Sequence, residues 1–259
     1  MMAAQPNPLR VALSILAARR TARPKPSGTG SVDHDELAHV LTELKQRGIA
    51  FLPDCIPTLQ EYRDRLSSVD PDSLTRDEAL AYWLNLYNAG ALTLAAEAVD
   101  DDADSVLRVP GAFSDPWATV GDERLTLNDI EHGKIRRFGD PRIHGALVCG
   151  SASCPTLRLE PYDGGVDVQL DEQMRTFLAM GGAFVDRDTS TIRLSRVFLW
   201  YGRDFVVSHR MPTLLPARRR AVINSVASWL SPGDELWARK TRPKVEFADY
   251  DWALACSID

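Results

Sequence analysis

The run "ALAYWLNLYNAGALTLAAEAV", residues 79–99, constrains the fold more than any other stretch of this chain. Thr75 and Glu78 stand three apart just before it, which is the spacing of a capping box at a helix start. Apolar residues then lie on every side of the helix, so it must be buried on most of its faces. Asn85 and Asn88 interrupt the pattern. They are three apart and share one face, and an unpaired amide there is costly. Each must find partners. One expectation is that they tie down a loop backbone, with residues 150–154 as the target. The other is that one of them orients a histidine or polarises a carbonyl. Asn85 is therefore carried as a candidate catalytic residue and Asn88 as a candidate binding residue.

Around this helix the chain punctuates itself. Residues 1–30 read as a flexible leader ending in the linker composition "RPKPSGTG". The apolar run Val11 to Ala18 is too short to span a bilayer, and its flanks suit a signal peptide poorly. Asp33 and Glu36 fit a capping box for a helix with Leu37, Val40, Leu41 and Leu44 inward, stopped by Gly48. A second helix follows Pro57 with Leu59, Tyr62 and Leu66 inward. "WATVGDERLTL" reads as a hairpin turning at Gly121-Asp122. Asn128 is expected to cap a helix through Phe138. "RIHGALVCG", 142–150, reads as a buried strand, Leu170 to Met180 as a helix and "AFVDRDTSTIRLS" as a hairpin around Asp188. A short helix at 196–205, a long one from Leu214 to Leu230 and a closing strand Val245 to Trp252 complete the order. The fold class expected is α+β: a helical N-terminal part whose central buried helix packs on a small, mostly antiparallel sheet, with residues 31–259 as one domain.

Composition narrows the function classes. A formal charge of -6 and a pI near 5.4 give no reason to expect nucleic acid as a partner. Four cysteines are too sparse for a disulfide scaffold, which makes a reducing cytoplasm the expected location. A small molecule or a peptide is the expected partner, with no membrane span, no cofactor and no resident metal.

Five stretches in order, "AYWLNLYNA" (81–89), "LTLNDIEHGKIR" (125–136), "DPRIHGALVCGSASCPTLR" (140–158), "LSRVFLWYGRDF" (194–205) and "YDW" (250–252), resemble the domain-of-unknown-function family 547 of bacteria and plants. The resemblance covers about residues 75 to 252. It departs from the family pattern "HFALVCGSKSCP" at Gly145 and Ala152. It implies a shared fold and no established activity, so function has to come from the residues.

Those residues centre on "RIHGALVCGSASCPTL", 142–157. Strand alternation puts Cys149 on a packed face, where a thiol behaves as a small hydrophobe. Cys154 precedes Pro155, and proline is favoured at the first position of a helix. Cys154 at such an N-cap gains anion stabilisation and a lowered pKa. N–H groups around Ser151, Ala152, Ser153 and Cys154 can then form an oxyanion nest. Cys154 is the candidate nucleophile, and the plainer alternative is a Gly/Ser-rich turn with an incidental thiol. His144 is the candidate base and His132 its competitor; for both, the alternative is a structural hydrogen bond. Asn128-x-x-Glu131 fits a capping box, which would fix Glu131 at a helix start. Asp251 can orient a histidine, completing a Cys–His–Asp set. Ser151, Ser153, Glu131 and Tyr162 join Asn88 as candidate binding residues. A zinc site from His132, His144, Cys149 and Cys154 ranks third, because the C-x4-C spacing is wider than a knuckle. A Cys149–Cys154 disulfide stands level with it. The leading expectation is a thiol-dependent hydrolase or acyl transferase; the other is a non-catalytic module binding a peptide or small anion in the same pocket.

Overall fold

A computed structural model describes residues 8–213 and 215–259. Helix α1 spans Pro8–Ala18, α2 Asp35–Arg47, α3 Ile56–Ser67 and α4 Arg76–Asp100. Thr75 Oγ1 accepts the Glu78 N–H at the start of α4, as its spacing predicts. Every residue from Ala79 to Thr93 is buried. The stripes expected for α2 and α3 also face inward, and Gly48 ends α2 at φ 75°. No side chain caps α2, however: the N-cap is His34 and not Asp33, its imidazole turns to the Tyr62 hydroxyl, and Glu36 pairs with Arg65 at 2.7 and 2.5 Å.

Strands β1 (Pro116–Val120) and β2 (Glu123–Thr126) form the expected hairpin. The helix after it starts earlier than expected. Thr126, not Asn128, is the cap, and Asp129 completes the box around α5 (Leu127–Asp129). The chain continues through a wide turn, Ile130–Lys134, and a tight one, Ile135–Phe138, to Gly139 at φ 77°. Glu131 is therefore freed from any capping role. Helix α6 (Val166–Phe177) leads into β3 (Ala183–Asp186) and β4 (Thr191–Leu194). Short helices α7 (Val197–Trp200) and α8 (Gly202–Val206) follow, then α9 (Arg219–Val226), α10 (Pro232–Thr241) and β5 (Lys244–Phe247). The single long helix expected over 214–230 is shorter, since α9 begins after Pro216; Leu214 lies outside the described residues. β3 pairs antiparallel with β4, and β5 pairs parallel with β4.

The fold is α+β, with two small sheets among many helices. Its apolar side chains gather in two clusters. The larger wraps α4 with α2, α3 and the β1–β2 hairpin. The smaller joins the end of α6 to the three-stranded sheet and α7–α10. The buried helix thus meets the two-stranded sheet, while the three-stranded sheet is covered by the C-terminal helices. Residues 8–30 of the expected leader are held at several points. Ile15 and Ala18 are buried. The Arg137 guanidinium donates to the carbonyls of Ala18, Arg19 and Thr21, and Lys134 donates to that of Ala22 at 2.8 Å. Residues 1–7 lie outside the described residues.

Gly90 shows how closely α4 is packed. A Cβ there would lie 2.5 Å from Leu127 Cδ2 and 2.8 Å from Trp117 Nε1. The Leu127 methyl can swing away, but the Trp117 indole is pinned by its bond to the Leu86 carbonyl at 3.1 Å. Gly90→Ala should gain up to about 1 kcal/mol of helix propensity and lose about 1–3 kcal/mol to overpacking. A net loss on urea denaturation is expected; an unchanged midpoint would show that the indole yields.

Candidate active site

The segment 142–150 is not a strand. Asp140 Oδ1 accepts the Arg142 N–H and starts a tight turn over Pro141–Gly145. The apolar residues after it stay buried without a ladder partner, because α4 supplies one. Asn88 Nδ2 donates to the Ala146 carbonyl at 3.1 Å, and the Val148 N–H donates to Asn88 Oδ1 at 3.2 Å. Asn85 does the same for Tyr162, donating to its carbonyl at 2.7 Å and accepting its N–H at 3.0 Å. Both amides are spent on loop backbone, and the backbone they hold is 146–148 and 162, not 150–154. The cavity beside them, lined by Leu41, Arg158 and Tyr162 among others, has a volume of ≈ 10 Å³, room for about one water.

The loop then turns at Gly150, φ 72°, where a Cβ would sit 2.8 Å from Val106 Cγ1. No helix follows Pro155. Instead the C-terminal tail lies against the loop. Ala152 N–H donates to the Ala253 carbonyl, Ser153 N–H to that of Asp251, and Ala255 N–H to that of Gly150, at 2.9, 3.2 and 3.1 Å. The Cys154 N–H closes a turn on the Ser151 carbonyl at 3.0 Å. The N–H groups of 152, 153 and 154, expected to form an oxyanion nest, are thus all engaged by carbonyls. Ser153 Oγ accepts the Asp251 N–H. The Asp251 carboxylate is exposed and accepts the Ala253 N–H, so it orients no histidine.

What the tail delivers is Tyr250. Its hydroxyl lies 3.3 Å from Cys154 Sγ, 3.2 Å from Cys149 Sγ and 2.9 Å from Ser151 Oγ. Ser151 Oγ lies 3.3 Å from Cys154 Sγ and 3.2 Å from Cys149 Sγ. The Cys149 N–H donates to Cys154 Sγ at 2.9 Å. Cys149, expected to point into packing, shares the site with Cys154, and both thiols are free and half-buried. Burial pushes the Cys154 thiol up, but the hydrogen bonds from Cys149, Ser151 and Tyr250 outweigh it and bring it down to about 6. Cys149 moves the opposite way: its bond to Cys154 and its burial keep its proton on. Trp200, Tyr250 and Trp252 pack as an aromatic group, with ring centroids 4.5–5.9 Å apart, and Trp200 is 42% exposed.

The two histidines lie in a separate buried cluster. His144 Nε2 is 3.0 Å from Asp204 Oδ2, and its ring stacks on Tyr201 at 4.1 Å. Asp204 also receives Arg136 at 2.9 and 2.7 Å. Arg136 donates to His132 Nδ1 at 3.3 Å and to the Thr213 carbonyl at 3.1 Å. Neither imidazole is hydrogen-bonded to Cys154 among the described residues. Burial lowers both histidines, His132 far below its ordinary range. Burial raises the Glu131 carboxyl, which is bonded to Tyr201 and lies 3.5 Å from the Tyr87 hydroxyl. Tyr87 and Tyr201 feel the charges of both Glu131 and Cys149 and so connect the two clusters electrostatically. The zinc set is not assembled, since the histidines do not join the thiols, and no group of three or more metal-binding side chains gathers among the described residues.

Tyr250, Asp204, Arg136 and the tryptophans were missed as site residues. Tyr250 sits in "YDW" beside Asp251, and the aromatic pair flanking that acid was the available signal. Among the described residues no helix is long and apolar enough to cross a membrane. No curated protein and no solved structure matches the chain significantly. A family model matches residues 71–178, from the turn before α4 through α6. That stretch holds both asparagines, both site histidines and both thiols, but not Asp204 or Tyr250. Over that stretch the chain is similar to the family described as "Protein of unknown function, DUF547", as the motifs within it imply.

Proposed function

We propose that the protein is a thiol-dependent acyl transferase or hydrolase in which Cys154 attacks as a preformed thiolate. The observation that carries this reading is the convergence of the Cys149 N–H and the Ser151 and Tyr250 hydroxyls on Cys154 Sγ. A lowered pKa activates a cysteine without an adjacent base, so the reading does not need a histidine hydrogen-bonded to the thiol. The thiolate forms a bond to a carbonyl carbon, and the C=O π pair moves to oxygen. Charge leaves the sulfur as this happens, which releases the two hydroxyls to donate to the new oxyanion. Collapse expels the leaving group, which takes a proton from solvent. Water or an acceptor nucleophile then cleaves the thioester. The aromatic group at Trp200 and Trp252 suits an apolar acyl substituent. The non-catalytic reading has less support, since the cavity beside Asn85 and Asn88 admits no ligand larger than water.

Alkylation of Cys154 by iodoacetamide, followed by mass spectrometry across pH, tests the reading. The rate should reach half its maximum near pH 6, where the thiol is poised. Tyr250→Phe removes one donor and should raise that midpoint by roughly one unit. An activated ester should acylate the wild type and leave Cys154→Ser unlabelled. A midpoint at the ordinary thiol value, about 8.5, with no acyl adduct, would favour the non-catalytic module.

A further inference from the structure

We propose that Cys154 and Cys149 form a hydroperoxide-reactive dithiol, in which Cys154 reduces the peroxide and Cys149 closes a disulfide. Both sulfurs lie within 3.3 Å of the same two hydroxyl oxygens, those of Ser151 and Tyr250. The Cys149 backbone itself donates to Cys154 Sγ at 2.9 Å. The turn at Gly150 and the bond between Cys154 N–H and the Ser151 carbonyl fold the loop so that its two ends meet. A disulfide needs close Cα atoms and converging side chains, and this loop supplies the convergence. The tail pairing at 251–255 fixes it.

The asymmetry of the two thiols fits the chemistry. In the first step the Cys154 thiolate attacks one peroxide oxygen. An S–O bond forms, the O–O bond breaks, and the departing alkoxide or hydroxide takes a proton from solvent through the Ser151 and Tyr250 hydroxyls. Sulfur has given up two electrons and stands as sulfenic acid. Its negative charge is gone, and with it the main reason that Cys149 holds its proton. In the second step Cys149 sulfur attacks Cys154 sulfur, the S–O bond breaks, and the Cys149 proton leaves with the hydroxyl as water. Two thiols and one hydroperoxide become one disulfide, one alcohol or water, and one water. Cys256 is the competing partner, because it feels the Cys154 charge, but burial pushes its thiol up to about 12 and it shares neither hydroxyl. The inference stands on the sulfur geometry and does not depend on acyl transfer. Its consequence for that reading is that the disulfide shuts the nucleophile off reversibly.

The test uses the full, reduced chain treated with one equivalent of hydrogen peroxide, quenched with N-ethylmaleimide and mapped by mass spectrometry. Cys149 and Cys154 should lose labelling together, with loss of their two hydrogens, and dithiothreitol should restore both. Cys55 and Cys256 should stay labelled. Cys149→Ser should accumulate a Cys154 sulfenic acid that dimedone traps. Cys154→Ser should consume peroxide no faster than Cys55 and Cys256 do. Persistence of both labels after peroxide overturns the proposal, as does a Cys154–Cys256 link. The wild-type map needs no variant, so a misfolded substitution leaves the test intact. The activated-ester labelling uses no peroxide, so each reading can fail without the other.

Discussion

Arg136→Ala is expected to cost about 3–5 kcal/mol of folding stability, the usual cost of removing one partner from a buried ion pair. Arg136 is 1% exposed and the Asp204 carboxylate is fully buried. Without the guanidinium, Asp204 would keep, among the described residues, His144 at 3.0 Å and the Thr213 N–H at 3.3 Å. The Thr213 carbonyl and His132 Nδ1 would each lose a donor as well. The effect should be large because this group joins distant parts of the chain. Arg136 comes from the turn after α5, His144 from the turn before the cysteine loop, and Asp204 from α8 within the second apolar cluster. Since total stability is typically 5–15 kcal/mol, the variant should be largely unfolded on mild warming. Asp204→Asn should be milder, because it removes the charge while keeping an acceptor. Replacing Arg136 and Asp204 together with apolar residues of similar volume should cost much less than the sum of the single changes. Urea denaturation of the four proteins checks this. A loss below about 1 kcal/mol for Arg136→Ala, the range of exposed pairs, would mean that solvent reaches the cluster.

The same cluster explains why part of the site was legible and part was not. The α4 pattern is strong enough to survive any context, and its asparagines announced that they needed partners. What they pair with was hidden. Alternation in "RIHGALVCG" argues for a strand, yet the role of a neighbouring strand is taken by the Asn88 amide. Without a ladder, the two faces assigned to Cys149 and His144 lose their meaning. Asn128-x-x-Glu131 and Thr126-x-x-Asp129 both have the spacing of a capping box. The structure starts the helix at the earlier one, which buries Leu127. That one-register choice moves Glu131 from a helix start to a buried carboxyl beside Tyr201. Tyr250 reaches Cys154 across 96 residues, through tail pairing that no local pattern encodes.

Mild acid should destabilise the protein earlier than carboxylate titration alone would. Three buried histidines set the sign. His34, against the Tyr62 hydroxyl, is lowered by burial to about 4, and burial also lowers His132 and His144. In the unfolded chain each takes a proton near 6.5, while the native state resists. The unfolded state then binds more protons, so stability rises with pH across this window and is lost as pH falls below 6.5. Glu131 opposes them. Burial raises its folded pKa above the unfolded value, so the native state holds a proton that the unfolded chain has released. His34, with its native value at about 4, stays neutral across this window and alone supplies about one proton, or about 1.4 kcal/mol per pH unit. Between pH 6.5 and 5 the loss from His34 alone should reach about 1.5 kcal/mol, with His132 and His144 adding in the same direction and Glu131 against it, a sizeable share of an ordinary stability. Below that, Asp204 adds to the loss. Burial raises its carboxyl, but the bonds from His144 and Arg136 bring it net below its ordinary value, so protonating it removes stability as pH falls through that lowered pKa. Urea midpoints at pH 7.5, 6.5, 5.5 and 5 should therefore fall steeply over the last three. His34→Asn should flatten the slope by one proton. A midpoint constant from pH 7.5 to 5 would mean that the native histidines charge as readily as unfolded ones, and that the cluster around Arg136 is open to water.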